Sequence, residues 1–189
     1  MQTGSVDARR APRHAGRALL ALLAAVATLA AAAGHPDLPP VRLSDLPASW
    51  HDDLGRAFDL RSVQGQVVLT MAYATCHRVC PVTIRSLQQL QQDFDRRGLR
   101  AEFIVVGYDP DTDDAAAWHQ YRRTRHLTRD NWHFLVGTRA DVERIARQLG
   151  FEFWKMDDHV IHDLRIVRFD EHGTLVATDT AAGLRFTER

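Results

Sequence analysis

An apolar run, Val67-Val68-Leu69-Thr70-Met71-Ala72-Tyr73, passes through Ala74-Thr75 into Cys76-His77-Arg78-Val79-Cys80-Pro81 and from there into a helical pattern. These are the only two cysteines of the chain. A buried strand that feeds a helix through so short a loop points to an α/β arrangement with the cysteines at the junction. Four residues apart at a helix entrance, the two sulfurs can lie one turn apart on the same face, where the helix dipole and free N–H groups lower thiol pKa values. Such a pair is a reactive dithiol or half of a soft-metal site. A structural disulfide is the third reading, but a bridge over so short a loop removes little entropy from the unfolded chain.

The N-terminal segment bears on the compartment. Arg9, Arg10, Arg13 and Arg17 precede a small-apolar stretch over residues 18–33, the charged n-region and apolar h-region of an export signal. Ala31-Ala32-Ala33 before Gly34 fits an A-x-A cleavage site, and the stretch is just long enough to span a bilayer. Residues 1–34 are therefore expected to be a signal peptide or an N-terminal membrane anchor. No cysteine lies there, which excludes a lipoprotein anchor. Either form exposes the rest of the chain to an oxidising compartment, expected to be the periplasm, where a cysteine pair drifts to the disulfide unless reduced or held by a metal.

Residues 35–54 read as a linker, opened by His35-Pro36-Asp37-Leu38-Pro39-Pro40, because proline disfavours helix at and before itself. Residues 55–189 have the length of one domain with a substantial core. A formal net charge of +0 argues against a nucleic-acid binder. Lys155 is the only lysine and is read as a matter of composition.

The expected order is strand, strand, helix, strand, helix, strand, helix, hairpin. Phe58-Asp59-Leu60 and residues 67–73 flank Gln64-Gly65-Gln66 as an opening β-hairpin. Residues 82–97 place Ile84, Leu87, Leu90 and Phe94 on one stripe, with Gly98 at the C-cap. Phe103-Ile104-Val105-Val106-Gly107-Tyr108 is apolar enough for a strand buried on both faces. Residues 113–126 are expected to be helical with Asp113 as N-cap. Thr138 and Asp141 form a capping box before Val142, Ile145, Ala146 and Leu149, closed by Gly150. Residues 164–169 and 175–178 bracket Asp170-Glu171-His172-Gly173 as a closing hairpin. Trp118, Tyr121, Trp132, Phe134, Phe151 and Trp154 are expected in the core or at its rim, with Trp154 and Met156 in a loop before His162 that a partner can touch. Asp157 and Asp158 suit a solvated turn. The sum is a mixed sheet flanked by helices, the order expected of a thioredoxin-like α/β domain.

The residues as a set resemble the Sco/SenC family of copper-binding cytochrome c oxidase assembly proteins. The likeness runs through Gly65-Gln66-Val67-Val68-Leu69, Cys76 to Pro81, Asp109-Pro110-Asp111-Thr112-Asp113, Trp132-His133-Phe134-Leu135-Val136-Gly137 and the final His162 with Gly173 closing its hairpin. It spans about residues 55–178. Thioredoxins carry C-x-x-C at this place; the extra residue here separates the thiols enough for both to reach one metal ion. The resemblance implies a copper site of Cys76, Cys80 and one distal histidine. His162 fits better than His159, because its spacing to Gly173 suits the family pattern. Two thiolates and an imidazole are a soft set for Cu(I), or for Cu(II) with a further ligand. Zinc would want a fourth ligand, for which His77 or His159 is the only candidate. Family members usually have proline where this chain has His77, which is either an exposed loop residue or a titratable neighbour of the thiols. The carboxylates of Asp109 to Asp114 can line the approach to the site. Family members also continue into a terminal helix, whereas only a short segment follows Thr180.

Two functions follow as expectations. One is a copper chaperone assisting metallation of the Cu(A) centre in cytochrome c oxidase subunit II, served by a periplasmic copper donor and a thiol reductant. The other is a thiol-disulfide oxidoreductase acting on the subunit's cysteines or in redox signalling. The oxidoreductase needs Cys76 and Cys80 as its catalytic dithiol, a possible disulfide pair, but has no need for His162; the chaperone needs all three. A peroxidase lacks support, since no Pro-x-x-x-Thr-x-x-Cys arrangement is present.

Overall fold

The computed structural model describes residues 41–74, 80–156 and 159–180, with Cys80, Pro81 and His159 as backbone only. The expected signal or anchor, the proline-rich start of the linker, and Thr75, Cys76, His77, Arg78, Val79, Asp157 and Asp158 lie outside these residues.

A hairpin of β1 (Ser49–Asp52) and β2 (Ala57–Asp59) leads through a 3-10 turn into β3 (Gln66–Ala72) and helix α1 (Cys80–Arg96). There follow β4 (Ala101–Gly107), α2 (Ala115–Thr124), β5 (Trp132–Val136) and α3 (Arg139–Leu149), and then β6 (Phe153–Met156), β7 (His159–His162), β8 (Arg165–Phe169) and β9 (Leu175–Thr180). Seven strands form one sheet in the order β2-β1-β5-β4-β3-β8-β9. Its centre, β3, β4 and β5, is parallel, and β1 and β8 add antiparallel rims. Strands β6 and β7 pair with each other as a separate two-stranded ribbon.

The sequence explains why the centre is parallel. Val67, Val68, Leu69 and Met71 of β3 and Phe103 to Val106 of β4 are buried at successive positions, as strands covered on both faces must be. Each such side chain contributes about 1.5–3 kcal/mol when withdrawn from water. Helix α1 closes one side through Ile84, Leu87, Leu90 and Phe94, all buried. It stops at Gly98, whose φ of +65° lets the Leu99 N–H reach back to the Phe94 carbonyl at 2.9 Å, a turn that other residues adopt only with strain. Helix α3 begins where the capping box places it, with Thr138 accepting from the Asp141 N–H, and ends at Gly150 with φ +70°.

Four expectations are corrected. The N-terminal hairpin exists, but β2 pairs with β1 across the turn at residues 53–56, and β3 pairs with β4 and β8 instead of with residues 58–60. Trp50, 1% exposed, is buried in what the composition presents as linker, so the folded unit includes Leu43, Leu46 and β1. Helix α2 is capped by Asp114, whose carboxylate accepts from the Ala117 N–H, because Asp113 is committed elsewhere. Trp154 and Met156 lie on strand β6 and not in a loop, and Trp154 is exposed instead of packed in the core, leaving both side chains open to contact.

Candidate metal centre

Parallel strands β3 and β4 end side by side, with Ala72 in register with Gly107. One residue on, the Tyr108 N–H donates to the Ala72 carbonyl at 2.9 Å. From this point the chain leaves β3 toward the cysteines. Cys76 lies outside the described residues, and Cys80 is the first residue of α1, the helix end where a dipole and free N–H groups favour a thiolate.

Asp113 ties the two strand ends together. It is fully buried, one carboxylate oxygen accepting from the Ala74 N–H at 2.7 Å and the other from the Asp109 N–H at 3.0 Å. Burial pushes its carboxyl up to about 7, against the pull of those N–H groups and with the aid of the neighbouring Asp109 charge. Gly107 makes room for it: a Cβ there would lie 2.9 Å from the Asp113 Cβ and 3.0 Å from the Trp118 Nε1.

Asp109 behaves in the opposite way. Burial again acts to raise its carboxyl, but hydrogen bonds from Lys155, the Asp111 N–H and Arg139, with the charge of Lys155, hold it below the usual carboxylate range. Lys155 Nζ stands 3.1 Å from Asp109 Oδ2, and Arg139 Nη2 3.3 Å from Oδ1. The single lysine of the chain thus has a definite place, spanning from β6 to the acidic turn.

His162 reaches the same end of the sheet from the ribbon. Across the β6–β7 ladder it faces Phe153, and the Tyr108 ring meets both, at 4.9 Å from Phe153 and 4.8 Å from the imidazole. His162 Nδ1 lies 2.6 Å from the Asp163 carbonyl oxygen. A carbonyl only accepts, so Nδ1 carries the proton and Nε2 carries the lone pair a metal would use. The half-buried ring is thereby a donor of the right tautomer. Asp163 closes the ribbon's base: its N–H donates to the Glu152 carbonyl, its carboxylate accepts from the Glu152 N–H, and it pairs with Arg165 at 3.2 Å. His159 pairs in register with Met156 and differs from His162 by an odd number of positions, so it belongs to the other parity set of the strand.

Among the described residues no three His, Cys, Asp or Glu side chains converge as a metal cluster. Of the sequence-predicted ligands, His162 is at the sheet end from which the cysteine loop departs. Tyr108 and Lys155 were not singled out for the site by sequence, and Asp113, expected in the acidic turn, is instead buried between the strand ends. The signal available was the tyrosine directly before Asp109-Pro110 and the solitary lysine.

The sequence matches the SCO1/SenC family over residues 48–182. This chain belongs to that family. It is 24% identical over 139 residues to the SCO1 protein homolog of Bacillus subtilis (strain 168), covering 71% of this chain and 72% of the relative. Among solved structures it is similar to Arabidopsis thaliana ScoI with copper bound, with a TM-score of 0.64 and 19% identity over 71% of this chain and 85% of that one. It is also similar to BsSco, a member of the Sco family of cytochrome c oxidase assembly proteins in which a disulfide switch was identified, with a TM-score of 0.65 and 19% identity over 76% and 87%. At these identities the SCO1/SenC structures establish the fold, which is thioredoxin-like.

Proposed function

We propose that this SCO1/SenC protein is a copper chaperone that holds the metal through the thiolates of Cys76 and Cys80 and the imidazole of His162, and assists metallation of the Cu(A) centre of cytochrome c oxidase. The observation that carries the reading is the His162 ring, fixed as the Nδ1–H tautomer against Tyr108, beside the backbone that leads from β3 into the cysteine loop. Two thiolates and one imidazole suit Cu(I), and Cu(II) with a further ligand. The similarity to a copper-bound ScoI and to an oxidase assembly protein supports copper as the cargo. The acceptor is the Cu(A) domain of oxidase subunit II, with a copper donor and a thiol reductant upstream, all in the periplasm. Residues 1–34 deliver the chain there as a signal or an anchor.

A second reading, thiol-disulfide exchange with the subunit's cysteines, draws on Cys80 at the N-terminus of α1 and on the disulfide switch of BsSco. The two readings separate at His162. Reduced protein is titrated with copper and then presented to a reduced Cu(A) acceptor, alongside Cys76→Ser, Cys80→Ser and His162→Ala. The chaperone reading expects one copper per chain, tight binding lost in both cysteine variants, and transfer impaired in His162→Ala. Full rescue of oxidase assembly by His162→Ala under scarce copper would replace it with the oxidoreductase reading.

A further inference from the structure

The ribbon that carries His162 has no backbone ladder to the seven-stranded sheet; β6 and β7 pair with each other. Its position over the sheet end rests on side chains. Tyr108 is 1% exposed and its ring contacts both members of the Phe153/His162 cross-strand pair. Two positions along the same face of β6, Lys155 reaches Asp109, the residue next to Tyr108, at 3.1 Å. The two contacts come from consecutive residues of one turn and grip consecutive same-face residues of one strand. Such spacing resists both sliding and rotation of the ribbon, adding to the packing of Val160 and Leu164 against the core.

We infer that Tyr108 and Lys155 are positioning residues that clamp the ribbon and hold the imidazole of His162 where the cysteine loop can share a metal with it. The inference rests on the copper reading above and adds to it the two residues that pre-organise the ligand. Neither donates to the metal. Their effect passes entirely through His162, and outer-shell partners of this kind typically change metal affinity by about tenfold or more.

The test is a double-mutant cycle read by metal affinity. Reduced full-length protein is titrated with Cu(I) against a competing chelator, and the Cu(II) form is followed by its EPR signal and thiolate-to-copper absorption. Lys155→Met and Tyr108→Leu are expected to raise Kd about tenfold and to broaden the EPR signal, while Tyr108→Phe, which keeps the ring, stays near wild type. In a His162→Ala background neither change should shift Kd further. Lys155 is half exposed, so its variant keeps the test open should Tyr108→Leu fail to fold. Equal weakening with and without His162, or wild-type affinity in both clamp variants, overturns the inference and leaves the copper reading standing. Absence of copper uptake by reduced wild-type protein overturns that reading itself.

Discussion

Asp113 accepts the backbone N–H of Ala74 at 2.7 Å from a position with no exposure to solvent, so a buried carboxyl holds the last described residue before the cysteine loop. With its carboxyl raised to about 7 from an ordinary 3.8, it binds a proton in the folded protein that the unfolded chain has already released. Stability from this group is full below about pH 4 and is lost as pH rises through about 7. The slope it contributes over that window is up to about 1.4 kcal/mol per pH unit. Asp113→Asn cannot ionise and also loses one acceptor, so it should unfold more easily near pH 4, by about 1–3 kcal/mol. The deficit should shrink as pH approaches 8. Denaturant unfolding across that range measures it; a deficit independent of pH would show that Asp113 does not titrate there.

Gly107→Ala should destabilise the fold by about 1–3 kcal/mol, the usual cost of overpacking a filled core, because the new methyl meets the Asp113 Cβ and the Trp118 ring. Thermal unfolding of apo protein reads this directly. A Tm equal to wild type would mean that the strand end can open without cost.

His159→Ala should leave copper affinity within about twofold of wild type, while His162→Ala weakens it by about tenfold or more. The assignment follows from the register, in which His162 shares the face of Phe153 and Lys155 and His159 is opposite Met156. Competition titration with reduced protein decides it, and the reverse ranking would place the ligand on the other parity of β7.

Oxidation should block loading. Copper needs thiolates, so a Cys76–Cys80 disulfide is expected to prevent uptake and reduction to restore it. Mass spectrometry of the protein after copper exposure, with and without prior reduction, distinguishes the two forms; equal metal content in both would exclude the cysteines as ligands.

Much of this architecture was readable because local pattern and tertiary demand agree. The α1 stripe from Ile84 to Phe94, the Thr138 cap and the Asp170 to Gly173 turn each follow from spacing that survives burial unchanged. Elsewhere tertiary context chose between equivalents. Asp113 and Asp114 are equally able caps by chemistry, and only the pocket between Gly107 and Ala74 sends one inward and leaves the other at the helix. Strand β1 is too short to announce itself, and its place depends on pairing with β5, far along the chain. Strand β6 reads as Phe-Trp-Lys-Met with no apolar alternation, since its charged member is neutralised by a carboxylate that sequence spacing does not bring near.

The order of elements has a consequence for how the molecule is made. The cysteine loop follows the third strand, whereas His162 comes after three further strands and three helices, at the end of β7. A chain threading into an oxidising space N-terminus first presents both thiols long before the imidazole that would complete a metal site. On the proposed reading each new copy therefore meets oxidants as a bare dithiol and enters service as the disulfide. The first encounter in its working life is then with a reductant, and only afterwards with copper.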